Sequence, residues 1–269
     1  MDGIMNRDTA IILTVVTGLL MTVISPAQAD TIRKTDGKVL EGTRIKWFET
    51  RHEYQVENAD GSMIPVALDD VESIEVAKPA EFDKAIQAIA SKQYDAAIPI
   101  LEDITGRYRR LQWDAKAREM LANAFFAKGD YKKAVQVLGD LMEGTSKNQI
   151  TDAQQVMYWS ALMGAQMTAT LKKALNEALA GDSKSLAAQA MIKRGDLFKA
   201  EGKREDAVLD YLRVVLLFEE AREAHPEALF KAAQLLDELH DTPRADDLRK
   251  KLVSMYPDSP YSKKLGGQM

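Results

Sequence analysis

The sequence predicts an α+β protein with more than one domain, in which a small N-terminal β barrel precedes an all-α solenoid of helical hairpins. Short segments that alternate between apolar and polar residues, separated by two Asp-Gly turns, fill residues 30–78. From 79 to 265 apolar residues recur at helical spacing. Within that stretch a polar turn followed by an alanine and an aliphatic helix face returns at intervals of 37 and 38 residues, which is typical of a repeat architecture.

The composition of the chain excludes several classes of protein. The 269 residues are 46% apolar and 29% charged, with a formal net charge of −5. A disordered tail is less apolar, and the slight acidic excess gives no electrostatic case for nucleic acid. Because the chain has no cysteine, disulfides, thiolate metal sites, cysteine nucleophiles and a lipoprotein anchor are excluded.

Residues 1–29 predict a secretory signal peptide. Residues 9–24 form an uncharged, mostly apolar run that is followed by Pro26 and the small-residue pattern Ala27-Gln28-Ala29. The run is shorter than the roughly 20 apolar residues that a spanning helix needs. We therefore expect cleavage after Ala29, no stable membrane insertion after that cleavage, and a periplasmic location. Secretion beyond the cell and an uncleaved anchor are the alternatives.

Residues 30–78 predict a small, strongly bent β barrel. Five short strands are expected, at 31–33, 39–47, 52–57, 63–66 and 72–76. Asp36-Gly37 and Asp60-Gly61 supply the positive φ that tight hairpins require. Seven basic and eleven acidic residues would repel a phosphate backbone, so no nucleic-acid partner is expected.

This segment is similar to the SH3-like or Sm-like barrels of some exported bacterial proteins. The resemblance is carried by T-I-R-K-T-D-G-K-V-L-E-G-T at 31–43, E-Y-Q-V-E at 53–57 and D-D-V-E-S-I-E at 69–75. It implies a compact module at the start of the exported chain.

Residues 79–265 predict about five helical hairpins, near 80–106, 114–144, 151–180, 184–219 and 225–256. An ordinary helical bundle is the alternative. The middle hairpin has the least certain register, because Gly164 and Ala174 fit the repeating pattern poorly.

Two of these hairpins resemble tetratricopeptide repeats. Their residues fall on the small, aromatic, glycine and large apolar positions of that motif: Leu121, Ala122, Phe125, Gly129, Tyr131, Ala134 and Leu138 in one, and Gly195, Phe198, Gly202, Ala207 and Tyr211 in the other. The small residues let two helices cross closely, and the large ones fill the space beside the crossing.

The C-terminal repeats, roughly residues 186–264, are similar to those of periplasmic, Tol–Pal-associated TolA-binding proteins. The resemblance is carried by Leu212-Arg213-Val214-Val215 and by Tyr256-Pro257-Asp258-Ser259-Pro260-Tyr261. The N-terminal coiled coil and the lipidated cysteine found in related proteins are absent. The resemblance implies an envelope scaffold that binds a protein or peptide.

No motif for catalysis, metal binding or cofactor binding is present, so we expect neither an enzyme nor a cofactor. The three histidines, His52, His225 and His240, are expected at the surface or as helix caps. Two alternative functions stay open. One is a peptidoglycan- or glycan-binding module that stacks sugars on Trp47, Phe48 and Trp113, and the other is a hydrolase with a site between barrel and repeats.

The resemblance to tetratricopeptide repeats implies that the first helices of the hairpins line a concave binding face. The residues expected there to contact a partner are Lys116, Asn123, Phe126, Gln189, Asp196, Lys199, Phe230 and Gln234. On the first helix, Phe82, Ile86 and Ile89 form an apolar stripe that is expected to dock the β module. The sequence leaves the partner and the oligomeric state open.

Overall fold

The computed structural model describes residues 29–144 and 149–266. In that part of the chain a small N-terminal β region precedes helices that are stacked as hairpin repeats, so the predicted fold class is confirmed. The predicted signal peptide lies almost entirely outside the described residues. None of the helices in the described ranges is both long and apolar enough to span a membrane.

The β region contains six described strands in two antiparallel sheets. The strands are β1 Asp30–Lys34, β2 Val39–Gly42, β3 Arg44–Phe48, β4 Glu53–Glu57, β5 Met63–Ala67 and β6 Val71–Glu75. One sheet has the order β2-β1-β6 and the other has the order β3-β4-β5. The strand expected at 39–47 is divided at Thr43, where the chain passes from one sheet to the other. We call residues 30–78 the β module.

A shared core holds the two sheets together. Ile32, Ile45, Tyr54, Val56 and Val66 are buried between them. The Asp30 carboxylate accepts hydrogen bonds from two backbone amides, Ile45 N at 3.2 Å and Ala77 N at 3.0 Å. The start of β1 is therefore tied both to the second sheet and to the segment that leaves β6.

The helices form five hairpins and a short C-terminal helix. Their bounds are α1 Phe82–Ala90 and α2 Tyr94–Arg107, α3 Gln112–Ala127 and α4 Tyr131–Glu143, α5 Asp152–Gly164 and α6 Thr168–Leu179, α7 Lys184–Ala200 and α8 Arg204–Leu217, α9 His225–Glu238 and α10 Thr242–Met255, and α11 Pro260–Gly266. Each hairpin packs on the next, which is the arrangement of a solenoid.

Four of the hairpins cross at a pair of small buried residues that are twelve positions apart. The pairs are Ala85 with Ala97, Ala122 with Ala134, Gly195 with Ala207, and Ala233 with Ala245. A small side chain at both positions lets the two helix backbones approach closely. At Gly195 an added Cβ would lie 2.5 Å from Cε1 of Tyr211, so the tyrosine ring occupies the space that a side chain would need.

The middle hairpin breaks this rule. Trp159 and Leu171 stand at its two equivalent positions, and both are buried. The sequence-based register, which relied on Gly164 and Ala174, therefore missed the true crossing residues. Gly164 instead faces the ring of Tyr131 in the preceding hairpin, where an added Cβ would lie 2.5 Å from Cγ. Helices α5 and α6 approach one another less closely than the helices of the other hairpins.

All five hairpin turns have the same backbone conformation. The second residue after the first helix of each hairpin has positive φ, and these residues are Lys92, Gly129, Gln166, Gly202 and His240. The amide of the residue that follows returns to a carbonyl of the first helix, as in Gln93 N to Ala88 O at 2.7 Å. This is the hydrogen bond of a Schellman motif, in which glycine is the usual left-handed residue. Three of the turns form without glycine.

The β module docks on the turn between the first two hairpins. Leu111 is buried against the core of the module, and the Tyr54 hydroxyl donates a hydrogen bond to Arg110 O at 3.2 Å. Trp113 Nε1 donates to Val76 O at 3.1 Å. The expectation that the stripe on α1 docks the module is wrong. Phe82 packs on Trp113 and Ile86 is exposed, because the docking surface begins after α2.

Candidate functional site

The first helices of successive hairpins, α3, α5, α7 and α9, line one face of the array, which we call the central groove. The faces of α7 show how this groove is arranged. Ala190 and Leu197 pack in a cluster with residues of α5, whereas Ile192 packs in a cluster with residues of α8 and α9. The surface of α7 between these two contacts, at Lys193, therefore faces the open groove.

A charge network joins α7 to α9 on the floor of the groove. Lys231 Nζ lies 2.8 Å from both carboxylate oxygens of Asp196 and 2.7 Å from Oε1 of Glu227. Tyr211 from α8 donates its hydroxyl to Asp196 at 2.8 Å. Burial lowers the pKa of Lys231, but the two carboxylates outweigh it and hold that pKa above its usual value. Burial raises the pKa of Glu227, yet Lys231 holds it below its usual range.

Helix α11 covers the C-terminal end of the groove. The ring of Tyr261 lies 5.5 Å from the ring of Phe230, and Leu265 is buried in the same cluster. Burial, together with the Glu227 carboxylate, raises the pKa of Tyr261 to about 12. Phe230, expected to contact a partner, is therefore buried beneath the chain's own last helix.

The other residues expected on α7 and α9 differ in their availability. Lys199 is paired with Glu238 at 2.6 Å, and Asp196 belongs to the charge network. Gln189 is half-buried and Gln234 is exposed. The structure therefore brings these residues to one face, but it engages several of them in contacts within the array.

On α3 the expected residues are more open. Lys116 is exposed, with Nζ 4.7 Å from the centre of the Trp113 ring, and Asn123 is exposed. Phe126 is half-buried and packs edge-on against Tyr131, at 5.1 Å between ring centres. Polar side chains are thus free to contact a partner on α3, whereas the aromatic side chain also supports the hairpin.

Lys193 is the groove residue that sequence reasoning missed. Its side chain is 17% exposed, and the ion pair that the structure describes for it is at 4.0 Å, to Asp196. Burial, reinforced by the positive charge of Lys231, holds the pKa of Lys193 below its usual value despite the nearby carboxylates. A signal was available, because Lys193 stands one position after Ile192 on the face that the repeat register assigns to the groove.

A second concavity lies between the β module and the repeats, with a volume of about 870 Å³. Its carboxylates include Asp114, which is held by Arg118 Nε at 2.6 Å and by the backbone amide of Arg110 at 2.9 Å. Another, Glu49, pairs with Arg109 at 3.1 Å. Both are engaged in ion pairs that join elements of the fold, which is not the arrangement of a general acid and base. Among the described residues no cluster of side chains could hold a metal ion.

The aromatic rings considered for sugar stacking do not form one open platform. Trp47 is half-buried, with Arg110 4.8 Å above its ring and Tyr54 4.9 Å from it. Trp113 is half-buried between Phe82 and Lys116. These rings stabilise the junction between the β module and the repeats, so their placement does not favour the carbohydrate alternative.

Two buried polar groups have roles within the fold. His225 is buried rather than at the surface, with Nε2 2.9 Å from Phe218 O and Nδ1 2.8 Å from the hydroxyl of Tyr256. It thereby caps the C-terminal end of α8. Asp210 is fully buried, and both its oxygens are hydrogen-bonded to Arg194, at 2.7 and 2.9 Å.

Comparisons with known proteins agree with this architecture. Tetratricopeptide-repeat family models match residues 88–155 and 227–259. The structure of the apo form of the quorum sensor NprR from B. thuringiensis is similar with a TM-score of 0.53 at 12% identity, over 68% of this chain and 54% of that one. The chain thus spans about half the length of NprR.

Two further solved structures are similar over a comparable part of the chain. YrrB, described as a TPR protein with an unusual peptide-binding site, has a TM-score of 0.41 at 15% identity, over 69% of this chain and 90% of that one. A thermophilic TPR protein from Thermus thermophilus has a TM-score of 0.44 at 19% identity, over 68% of this chain and 96% of that one. No curated protein sequence matches the chain. None of these matches indicates a catalytic family.

Proposed function

From an array of tetratricopeptide repeats with a docked β module, we propose a non-enzymatic scaffold that binds a peptide or a protein through the central groove. The observation that supports this most directly is that the first helices of successive hairpins share one face, on which polar side chains such as Asn123 and Gln234 are exposed. A face of this kind fits an extended or helical segment of a partner.

We also propose that the scaffold acts in the bacterial envelope, in the periplasm. The predicted signal peptide at 1–29 and the resemblance of residues 186–264 to TolA-binding proteins support this location. The β module would be an SH3-like or Sm-like unit. Its two small antiparallel sheets around a shared core are compatible with that assignment.

Cell fractionation followed by N-terminal sequencing tests the location. We expect the protein in the periplasmic fraction, with a mature N-terminus at Asp30, because the small residues before it form the cleavage pattern. Recovery from the membrane fraction with residues 1–29 retained would identify an anchored protein instead. Recovery from the cytoplasm would overturn the envelope proposal.

The double variant Lys116→Ala, Asn123→Ala tests binding through the groove. Both side chains are exposed on α3, so the circular dichroism spectrum is expected to stay unchanged. Loss of the two polar contacts should weaken binding about tenfold, in line with roughly 0.5–1.5 kcal/mol for each hydrogen bond. Proteins captured from an envelope extract by the wild type should be depleted with this variant.

A matched control carries two substitutions on the opposite helix of the same hairpin, Lys132→Ala and Gln136→Ala, both at exposed positions of α4. It should capture the same proteins as the wild type. Equal capture by the groove variant and the control would place the binding surface elsewhere.

A further inference from the structure

The position of Lys193 at the middle of the central groove follows from its neighbours on α7. Residues on one side of it, Ala190 and Leu197, pack toward α5. On the other side, Asp196 reaches α9 through Lys231. The ammonium group therefore lies where a bound segment would cross from one hairpin to the next.

The carboxylates near Lys193 are already engaged. Asp196 accepts hydrogen bonds from Lys231 on both oxygens and from the Tyr211 hydroxyl. Glu227 is paired with Lys231 at 2.7 Å. Lys193 lies 4.0 Å from Asp196, beyond hydrogen-bond distance. Of the two lysines in this described cluster, Lys231 thus holds both carboxylates and Lys193 is left with a long ion pair.

Nothing on α5 supplies the missing anion. The positions of α5 equivalent by repeat register to Glu119, Asn123 and Phe126 of α3 hold Val156, Ser160 and Met163. These side chains are uncharged and half-buried. A mostly buried ammonium group without a hydrogen-bonded anion is unfavourable, because burial removes hydration that a long ion pair replaces poorly. An anion from outside the array would restore the balance.

We propose that Lys193 binds a carboxylate of the peptide that occupies the groove, supplied either by an aspartate or glutamate side chain or by a C-terminus. This inference rests on the proposed function. A single negative charge matches one ammonium group, whereas a doubly charged phosphate would be repelled by Asp196 and Glu227 beside it. The uncharged face of α5 favours an apolar residue next to that carboxylate.

Selection from two random heptapeptide pools tests the proposal on the purified protein. One pool displays a free C-terminus, and the other presents the heptapeptide between fixed flanking sequences. We expect aspartate or glutamate to be enriched at one position of the flanked pool if a side chain binds. If a terminal carboxylate binds, enrichment should be confined to the free-terminus pool.

A synthetic copy of the most enriched peptide then supplies the quantitative test. The variant Lys193→Gln should bind it at least about tenfold more weakly, because a charge-assisted hydrogen bond is lost. Lys193→Arg should retain most of the affinity, as should the control Lys173→Gln, which removes an exposed lysine on α6. Neutralising the acidic group of the peptide should weaken binding to the wild type but change binding to Lys193→Gln little.

The outcomes separate this inference from the function on which it rests. Peptides enriched without an acidic group, or bound equally by Lys193→Gln, would overturn the role of Lys193 and leave peptide binding by the groove intact. Enrichment of no peptide from either pool would overturn both.

Discussion

Replacing Trp159 with alanine is expected to lower the free energy of unfolding by about 3–5 kcal/mol, although alanine occupies the equivalent position in three of the other hairpins. Trp159 is 2% exposed and packs with Leu162, Leu171 and Leu175. Because Leu171 holds α5 and α6 apart, the helices cannot close over the space that the indole leaves. The substitution therefore creates a cavity rather than a closer crossing.

Urea denaturation followed by circular dichroism measures this loss. Trp159→Phe should cost less, since the smaller ring still fills part of the space. A loss below about 1 kcal/mol for Trp159→Ala would show that the middle hairpin collapses onto small residues as its neighbours do.

Replacing Tyr211 with alanine is expected to cost a similar amount, about 3–5 kcal/mol. Tyr211 is 1% exposed, and its ring fills the space beside Gly195, where that glycine leaves room for it. Its hydroxyl also holds Asp196 at 2.8 Å. Loss of the ring leaves a cavity at the crossing of α7 and α8, and Asp196 loses one donor.

The variant Tyr211→Phe separates the two contributions. It keeps the ring and removes the hydroxyl, so a loss of about 1–2 kcal/mol is expected, because Asp196 retains Lys231. Thermal or urea unfolding of both variants checks this order. Equal losses for the two variants would assign the stabilisation to the hydrogen bond instead of to packing.

The sequence predicted the architecture of the repeats because their packing rule is local. A small residue on each helix at a spacing of twelve is visible in a single chain, as with Ala122 and Ala134. The same rule failed at the middle hairpin, where Trp159 and Leu171 replace the small pair. Large apolar residues fit many helical registers, so no local pattern identifies them as crossing residues.

The turns illustrate a second limit. A left-handed position is easy to recognise when glycine fills it, as at Gly129 and Gly202. Lys92, Gln166 and His240 take the same conformation because the hydrogen bonds of the turn and the packing of both helices determine it. Their side chains give no sign of that conformation in the sequence.

The candidate site was predictable as a face but not as a set of free side chains. The repeat register assigns Asp196, Lys199 and Phe230 to the groove. Whether they are available depends on contacts between residues 31 to 39 positions apart, such as that of Asp196 with Lys231 and that of Phe230 with Tyr261. Such pairing is decided by stacking geometry, which also explains why Lys193 was not singled out.

The hydrogen bond between Asp30 and Ala77 has a mechanical consequence. It brings the point where the chain enters the β module next to the point where it leaves for α1, since β1 and β6 run antiparallel with Thr31 opposite Glu75. Tension between the segment before Asp30 and the repeats would pull these two ends apart. The strands would then open one pair at a time, like a zipper, before any helix of the array came under load.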